Sequence, residues 1–138
     1  MSAEQPAAIL ERDETDVMFV RVADEQQAIT RAWAELEDRV GSLRGLKFYG
    51  AFDAERHEYR ACVQLRDDDD PDALGLETGT LHGRRCARVR LEGDPPAVYG
   101  LIAPTFETLA KRSDSDPERP GIEFYRRRDV IDLLLPIV

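Results

Sequence analysis

The chain has 138 residues, 42% of them hydrophobic, which is enough for one domain with a substantial core and too few for a second full one. Its 28 acids against 19 lysines and arginines leave a formal charge of −9, which repels a phosphate backbone and argues against direct nucleic-acid binding. No stretch approaches the roughly 20 apolar residues of a bilayer span, and the N-terminus lacks the basic and apolar regions of a secretory signal, so a cytoplasmic protein without a membrane partner is expected.

Residues 1–15 read as a flexible N-terminus, followed by a single domain over 16–138. The first strand is predicted at "DVMFVRV", 16–22, from its valines and phenylalanine. A helix follows in "ADEQQAITRAWAELEDRVGSL", where Ile29, Trp33, Leu36, Val40 and Leu43 recur at helical spacing. Asp24 is placed to cap its start, and Gly41 marks its end. "LKFYGAF", 46–52, and "EYRACVQL", 58–65, joined by the polar "DAERH", read as a hairpin. The first half is therefore β-α-β-β, over about 16–66.

The linker over 67–82 carries a four-Asp run, a proline and several glycines, all of which oppose regular structure. Its acids lack the glycine and glutamate positions of an EF-hand, so a solvated loop is expected rather than a calcium site. From about 83 to 138 the order repeats. "GRRCARVRLEG" alternates Cys86, Arg88 and Arg90 with Ala87, Val89 and Leu91, as a half-exposed strand does. A helix is predicted from Asp94, with apolar positions Val98, Leu101, Ile102, Phe106 and Leu109 and a kink at Pro104. The loop "SDSDPERPG" leads to "IEFYRRR", 122–128, and "VIDLLLPI", 130–137. Lys47-Phe48-Tyr49 then answers Glu123-Phe124-Tyr125, and the seam of such a duplication is a natural cleft.

Cys62 and Cys86 stand in strand-like contexts and read as free thiols packed as small hydrophobes. His57 and His82 have no cysteine at metal-ligand spacing, and neither a metal nor another cofactor is expected.

The chemistry concentrates in the last two strands. Alternation puts Glu123 and Tyr125 on one face, while Asp132 shares its face with Val130 and Leu134. An antiparallel hairpin is expected to bring Asp132 near Glu123 and Tyr125, two acids and a phenol among aliphatic neighbours. Such a group suits a lipophilic cation, general acid-base work, or an ion pair with Lys47 or one of Arg126 to Arg128.

Four stretches resemble the GyrI-like small-molecule-binding domain, the effector-binding domain of AraC-type and MerR-type regulators in the SOUL/GyrI-like superfamily. They are "GRRCARVRLEGDPPAVYGLIAPTFETL", similar to its strand, turn and helix; "IEFY", similar to its Phe-Glu-x-Tyr strand; "IDLLLPI", similar to its closing acid-x-x-x-Pro strand; and "EYRACVQL", similar to the last strand of its first half. The resemblance implies an α+β fold of duplicated β-α-β-β modules, a curved, mostly antiparallel sheet with two main helices flanking a central cleft. Ligand contacts would fall on Glu123, Tyr125, Asp132 and Leu134, with Trp33, Tyr99 and Phe106 as cleft walls or plain core. Asp132 stands where the family has a glutamate, and residues 1–15 are too few for a helix-turn-helix, so a stand-alone form is expected. It would sequester or sense hydrophobic, cationic aromatic molecules, as multidrug-binding domains do. The resemblance also implies two other roles: a hydrolase opening cyclopropane rings of natural products with Glu123 and Tyr125, or an acidic module of the gyrase-inhibitor type.

Overall fold

The alternating and helical patterns account for six strands and two amphipathic helices, to which the fold adds two short strands. The computed structural model describes residues 7–53, 55–116 and 119–138. In chain order these form β1 (Ala8–Arg12), β2 (Thr15–Ala23), α1 (Gln26–Val40), β3 (Phe48–Asp53), β4 (Glu58–Gln64), α2 (Pro71–Leu74), β5 (Glu77–Leu81) and β6 (Arg84–Glu92). A 3-10 turn (Ala97–Leu101), α3 (Ile102–Arg112), β7 (Gly121–Arg127) and β8 (Val130–Pro136) complete the chain. All strand pairs are antiparallel, in the order β1-β6-β8-β7-β3-β4-β2-β5. The order reads the same way from both ends: β6-β8-β7 and β2-β4-β3 flank a β7–β3 seam, as two β-α-β-β modules should.

The connections dictate the curvature. β1 and β2 lie six strand spacings apart in the sheet, about 29 Å at ~4.8 Å each, yet only Asp13 and Glu14 join them. β5 and β6 stand in the same relation across His82 and Gly83. Two residues cannot span that distance, so the sheet curls into a half-barrel until its ends approach. Gly83 sits at the meeting point, where a Cβ would run into the Arg12 carbonyl and lie 2.8 Å from the Glu14 amide.

One face of the sheet is covered by helices. Met18, Ala61 and Val63 pack with Ala32 and Leu36 of α1, while Val89, Ile131 and Leu133 pack with Phe106 and Leu109 of α3. The inner face of the curl buries Val17, Phe19, Tyr49, Cys62, Cys86, Ile122 and Leu134, a cluster built from strands alone. Both cysteines are free there, and burial pushes the Cys62 thiol up to about 12. No helix among the described residues is long and apolar enough to cross a membrane.

Several local expectations are revised. Residues 8–12, expected to be flexible, pair with β6 and shield its edge; residues 1–6 of the expected flexible segment lie outside the described residues. Ala54 of the "DAERH" turn and residues 117 and 118 of the "SDSDPERPG" loop also lie outside them. The 67–82 linker contains α2, capped by Asp70 accepting from the Ala73 amide, and β5, which pairs with β2. Glu25, not Asp24, occupies the N-cap position of α1, without a side-chain cap bond. Pro104 falls in the first turn of α3, where its missing N–H is harmless, and the change of helix type comes earlier, at the 3-10 turn.

The expected match of Lys47-Phe48-Tyr49 with Glu123-Phe124-Tyr125 is also displaced. Phe48 packs under α1, whereas Phe124 packs on the inner face beside Tyr49. The modules correspond as wholes, but that alignment is out of phase by one residue, which exchanges faces.

Candidate functional site

At the seam, β3 and β7 pair with Gly50 opposite Glu123. The Glu123 side chain points to the helix-covered face and is only 6% exposed. Its Oε1 accepts from the Tyr125 hydroxyl at 2.5 Å and from the Tyr59 hydroxyl at 2.8 Å. Trp33 Nε1, brought in by α1, donates to the Tyr59 hydroxyl at 3.1 Å. Small residues create this geometry: in the row Ala61–Gly50–Glu123 nothing bulky stands between the Tyr59 ring and the carboxylate. A Cβ on Gly50 would meet the Tyr59 hydroxyl and lie 2.5 Å from Glu123 Oε1.

Rings surround this carboxylate. Trp33 stands edge-on to Tyr125 with centroids 5.3 Å apart and to Tyr59 at 6.5 Å. Tyr99, on the 3-10 turn, stands edge-on to Tyr125 at 6.5 Å and is 41% exposed. Tyr99 and Tyr125 thus form a chain of contacts from the surface to the buried acid. Phe106 lies farther out, against Phe52 at 5.0 Å, as part of the α3 core.

Electrostatics at this point are unbalanced. No cation pairs with Glu123 among the described residues; its partners are phenols. Burial raises the Glu123 carboxyl above its ordinary value of 4.5, against the opposing pull of the hydrogen bonds from Tyr125 and Tyr59. Burial and the neighbouring carboxylate raise both phenols, Tyr59 well above 10, so they remain donors at any physiological pH.

Asp132 and Leu134 are not part of this cluster. Asp132 lies on the inner face, where Arg90 holds it through Nε at 2.7 Å and Nη2 at 3.2 Å, and Arg126 Nη1 adds a contact at 3.3 Å. Leu134 packs on the same inner face. The cause is a single extra residue in β7. Arg127 pairs with Val130 across the turn, but Tyr125 pairs with Ile131, so Arg126 is a bulge. A regular hairpin would set Tyr125 opposite Asp132; the bulge sets Phe124 there, and Glu123 opposite Leu133. The expected convergence of Asp132 with Glu123 and Tyr125 is thereby undone. The ion-pair partner named from sequence, Arg126, is present, but the bidentate one is Arg90, and Lys47 is solvent-exposed.

Tyr59 and Gly50 were not legible as site residues. Their signal is faint: two small residues, Gly50 and Ala61, at the centre of adjacent strands otherwise rich in large ones.

No protein-family model matches the chain, and no curated protein sequence is similar to it. Solved structures share its fold. An integron cassette protein from the mobile metagenome of Vibrio cholerae superposes with a TM-score of 0.77 at 14% identity, over 96% of this chain and 95% of that one. The structure of SAV2435 bound to tetraphenylphosphonium gives 0.69 at 12% identity, over 96% and 94%. A hydrolase from Listeria innocua gives 0.56 at 11% identity, over 99% and 94%. At these identities the likeness is one of fold: a curled, eight-stranded antiparallel α+β architecture.

Proposed function

We propose that the protein binds hydrophobic, cationic aromatic molecules between α1 and the 3-10 turn, as a sequestering or sensing protein of GyrI-like type. The observation that carries this reading is the state of Glu123: a buried carboxylate whose partners among the described residues are phenols, inside a ring of Trp33, Tyr59, Tyr99 and Tyr125. A buried acid without a counter-charge is costly, and a lipophilic cation offsets it while its rings meet aromatic faces. The tetraphenylphosphonium-bound neighbour supports the ligand class, because the same fold there accommodates such a cation.

The two surface cavities described for the chain do not border Glu123. With Glu123 6% and Tyr59 3% exposed, entry requires Trp33 or Tyr99 to swing aside, with Tyr59 and Tyr125 rearranging around the ligand. Trp33 is the only tryptophan in the chain, which makes its emission a direct reporter. Titration with tetraphenylphosphonium is expected to give a saturable change in that emission, with a Kd on the order of micromolar. Neutral triphenylphosphine oxide is expected to bind at least about tenfold more weakly, the worth of ~1.4 kcal/mol of charge attraction. Equal affinity for the two probes would remove the carboxylate from the reading. Asp132→Asn is expected to leave the cation affinity within about twofold, because it acts on the other face of the sheet; a loss comparable to that of Glu123→Gln would place the ligand on the inner face instead.

A second reading rests on the 2.5 Å Tyr125–Glu123 hydrogen bond. A carboxyl raised by burial beside a phenol can serve as an acid-base pair, with Glu123 activating water and Tyr125 donating to the opening ring of a strained electrophile. The Listeria hydrolase of the same fold lends that reading some support. Turnover of a cyclopropane-containing alkylating agent, abolished in Glu123→Gln, distinguishes it from binding alone.

A further inference from the structure

A cavity of about 300 Å³ opens on the inner face of the curl, on the side of the sheet away from Glu123. Tyr49, Phe124 and Leu134 form its apolar wall, the two rings stacked 4.9 Å apart at 18°. Three guanidiniums border it, those of Arg12, Arg88 and Arg126. Two are engaged within the protein. Arg12 donates to the His82 carbonyl at 2.7 Å and to Thr15 Oγ1 at 3.0 Å, and Arg126 reaches Asp132 while lying 5.5 Å over the Phe124 ring.

Arg88 is different. Its Nε is buried, and among the described residues nothing accepts its hydrogen. A buried donor of a charged group normally has an acceptor, and the cavity's own acids do not supply one. Asp132 is already matched by Arg90 and Arg126, and the charge of Asp13 acts on Arg12. Within a chain of formal charge −9, this is a local excess of positive charge over an aromatic wall.

We propose that the cavity is a second binding site, for a small hydrophobic carboxylate, whose head group pairs with the half-buried Arg88 guanidinium and turns it so that Nε gains an acceptor, while its ring lies against Tyr49, Phe124 and Leu134. Asp13 and Asp132, which also border the cavity, oppose a dianion more than a monoanion, which favours a carboxylate over a phosphate. The volume stands at the low end of the range for ligand pockets, about 300–1,000 Å³, and suits a body of one or two rings. A larger cavity of about 440 Å³ at the closure of the half-barrel has no such group to offer. There Arg12 and Arg119 donate to the carbonyls of His82, Gly83, Arg85 and Ile137, which ties the corner together. The carboxylate site uses other residues and the opposite charge from the Glu123 cluster, so either assignment can fail alone.

Calorimetric titration of the full chain with 1-naphthoate tests it. Saturable binding is expected at sub-millimolar Kd, with at least about tenfold weaker binding of neutral 1-naphthamide to the same protein. Arg88→Gln, checked for unchanged fold by circular dichroism, is expected to reduce naphthoate affinity at least about tenfold. Excess tetraphenylphosphonium is expected not to displace the acid. No saturable binding up to about 5 mM, equal affinity for acid and amide, unchanged affinity in Arg88→Gln, or displacement by the cation would each overturn the proposal. The amide comparison needs no variant and decides the matter even if Arg88→Gln does not fold.

Discussion

Replacing Glu123 by glutamine is expected to weaken tetraphenylphosphonium binding about 10- to 100-fold, or ~1.4–2.8 kcal/mol. Glutamine keeps the shape and the carbonyl that Tyr59 and Tyr125 donate to, so the change removes charge and little else. The range is lower than for a compact ion pair, since the positive charge of such a ligand is spread and shielded by its rings. The pH dependence has a definite sign. The folded carboxyl is raised above its ordinary value, so at low pH it is protonated and offers the cation no charge. Wild-type affinity should therefore rise as pH increases through the raised value, with proton release on binding, while Glu123→Gln stays flat.

Stability runs the other way. A folded value above the unfolded one means that the native state favours the protonated acid, so the contribution is present below the ordinary value of 4.5 and lost as pH rises through the raised value. Glu123→Gln should be the more thermostable protein at pH 8, with the gap closing towards pH 4. A group that costs stability when charged and gains affinity when charged is the behaviour of a site residue rather than a structural one. A Tm gap that does not vary with pH would remove that argument.

Gly50→Ala carries the second large effect. The added methyl overlaps the Tyr59 hydroxyl and approaches Glu123 Oε1, and the Tyr59 ring, 3% exposed, has little room to retreat. Overpacking of this kind costs about 1–3 kcal/mol, and thermal unfolding should register it as a lowered Tm. Affinity for tetraphenylphosphonium should also fall, because the rings that frame the carboxylate are moved. An unchanged Tm with full affinity would show that the row Ala61–Gly50–Glu123 does not need its empty centre.

The duplicated β-α-β-β order was legible because it rests on strong local signals, the helical spacing of Ile29, Trp33 and Leu36 and the alternation of Ala87, Val89 and Leu91. Glu123 and Tyr125 share a face because they stand two residues apart within one regular stretch. The position of Asp132 was not legible, because it depends on whether Arg126 is bulged, and one extra residue exchanges every side chain beyond it between faces. Tyr59 escaped for a related reason: its role depends on two cross-strand registers that place Ala61 and Gly50 beside Glu123. β1 was invisible because its short run becomes a strand only when the curl brings β6 alongside.

Asp132 thus has counter-charges in Arg90 and Arg126, whereas Glu123 has two phenols and, among the described residues, no cation. The most direct measurement is a crystal structure of the complex with tetraphenylphosphonium. The phosphorus is expected on the helix-covered face, within about 6 Å of an aromatic centroid, with Glu123 facing it and Trp33 displaced. Density for the cation on the inner face near Asp132, with Tyr59 and Tyr125 still bonded to Glu123, would contradict the assignment.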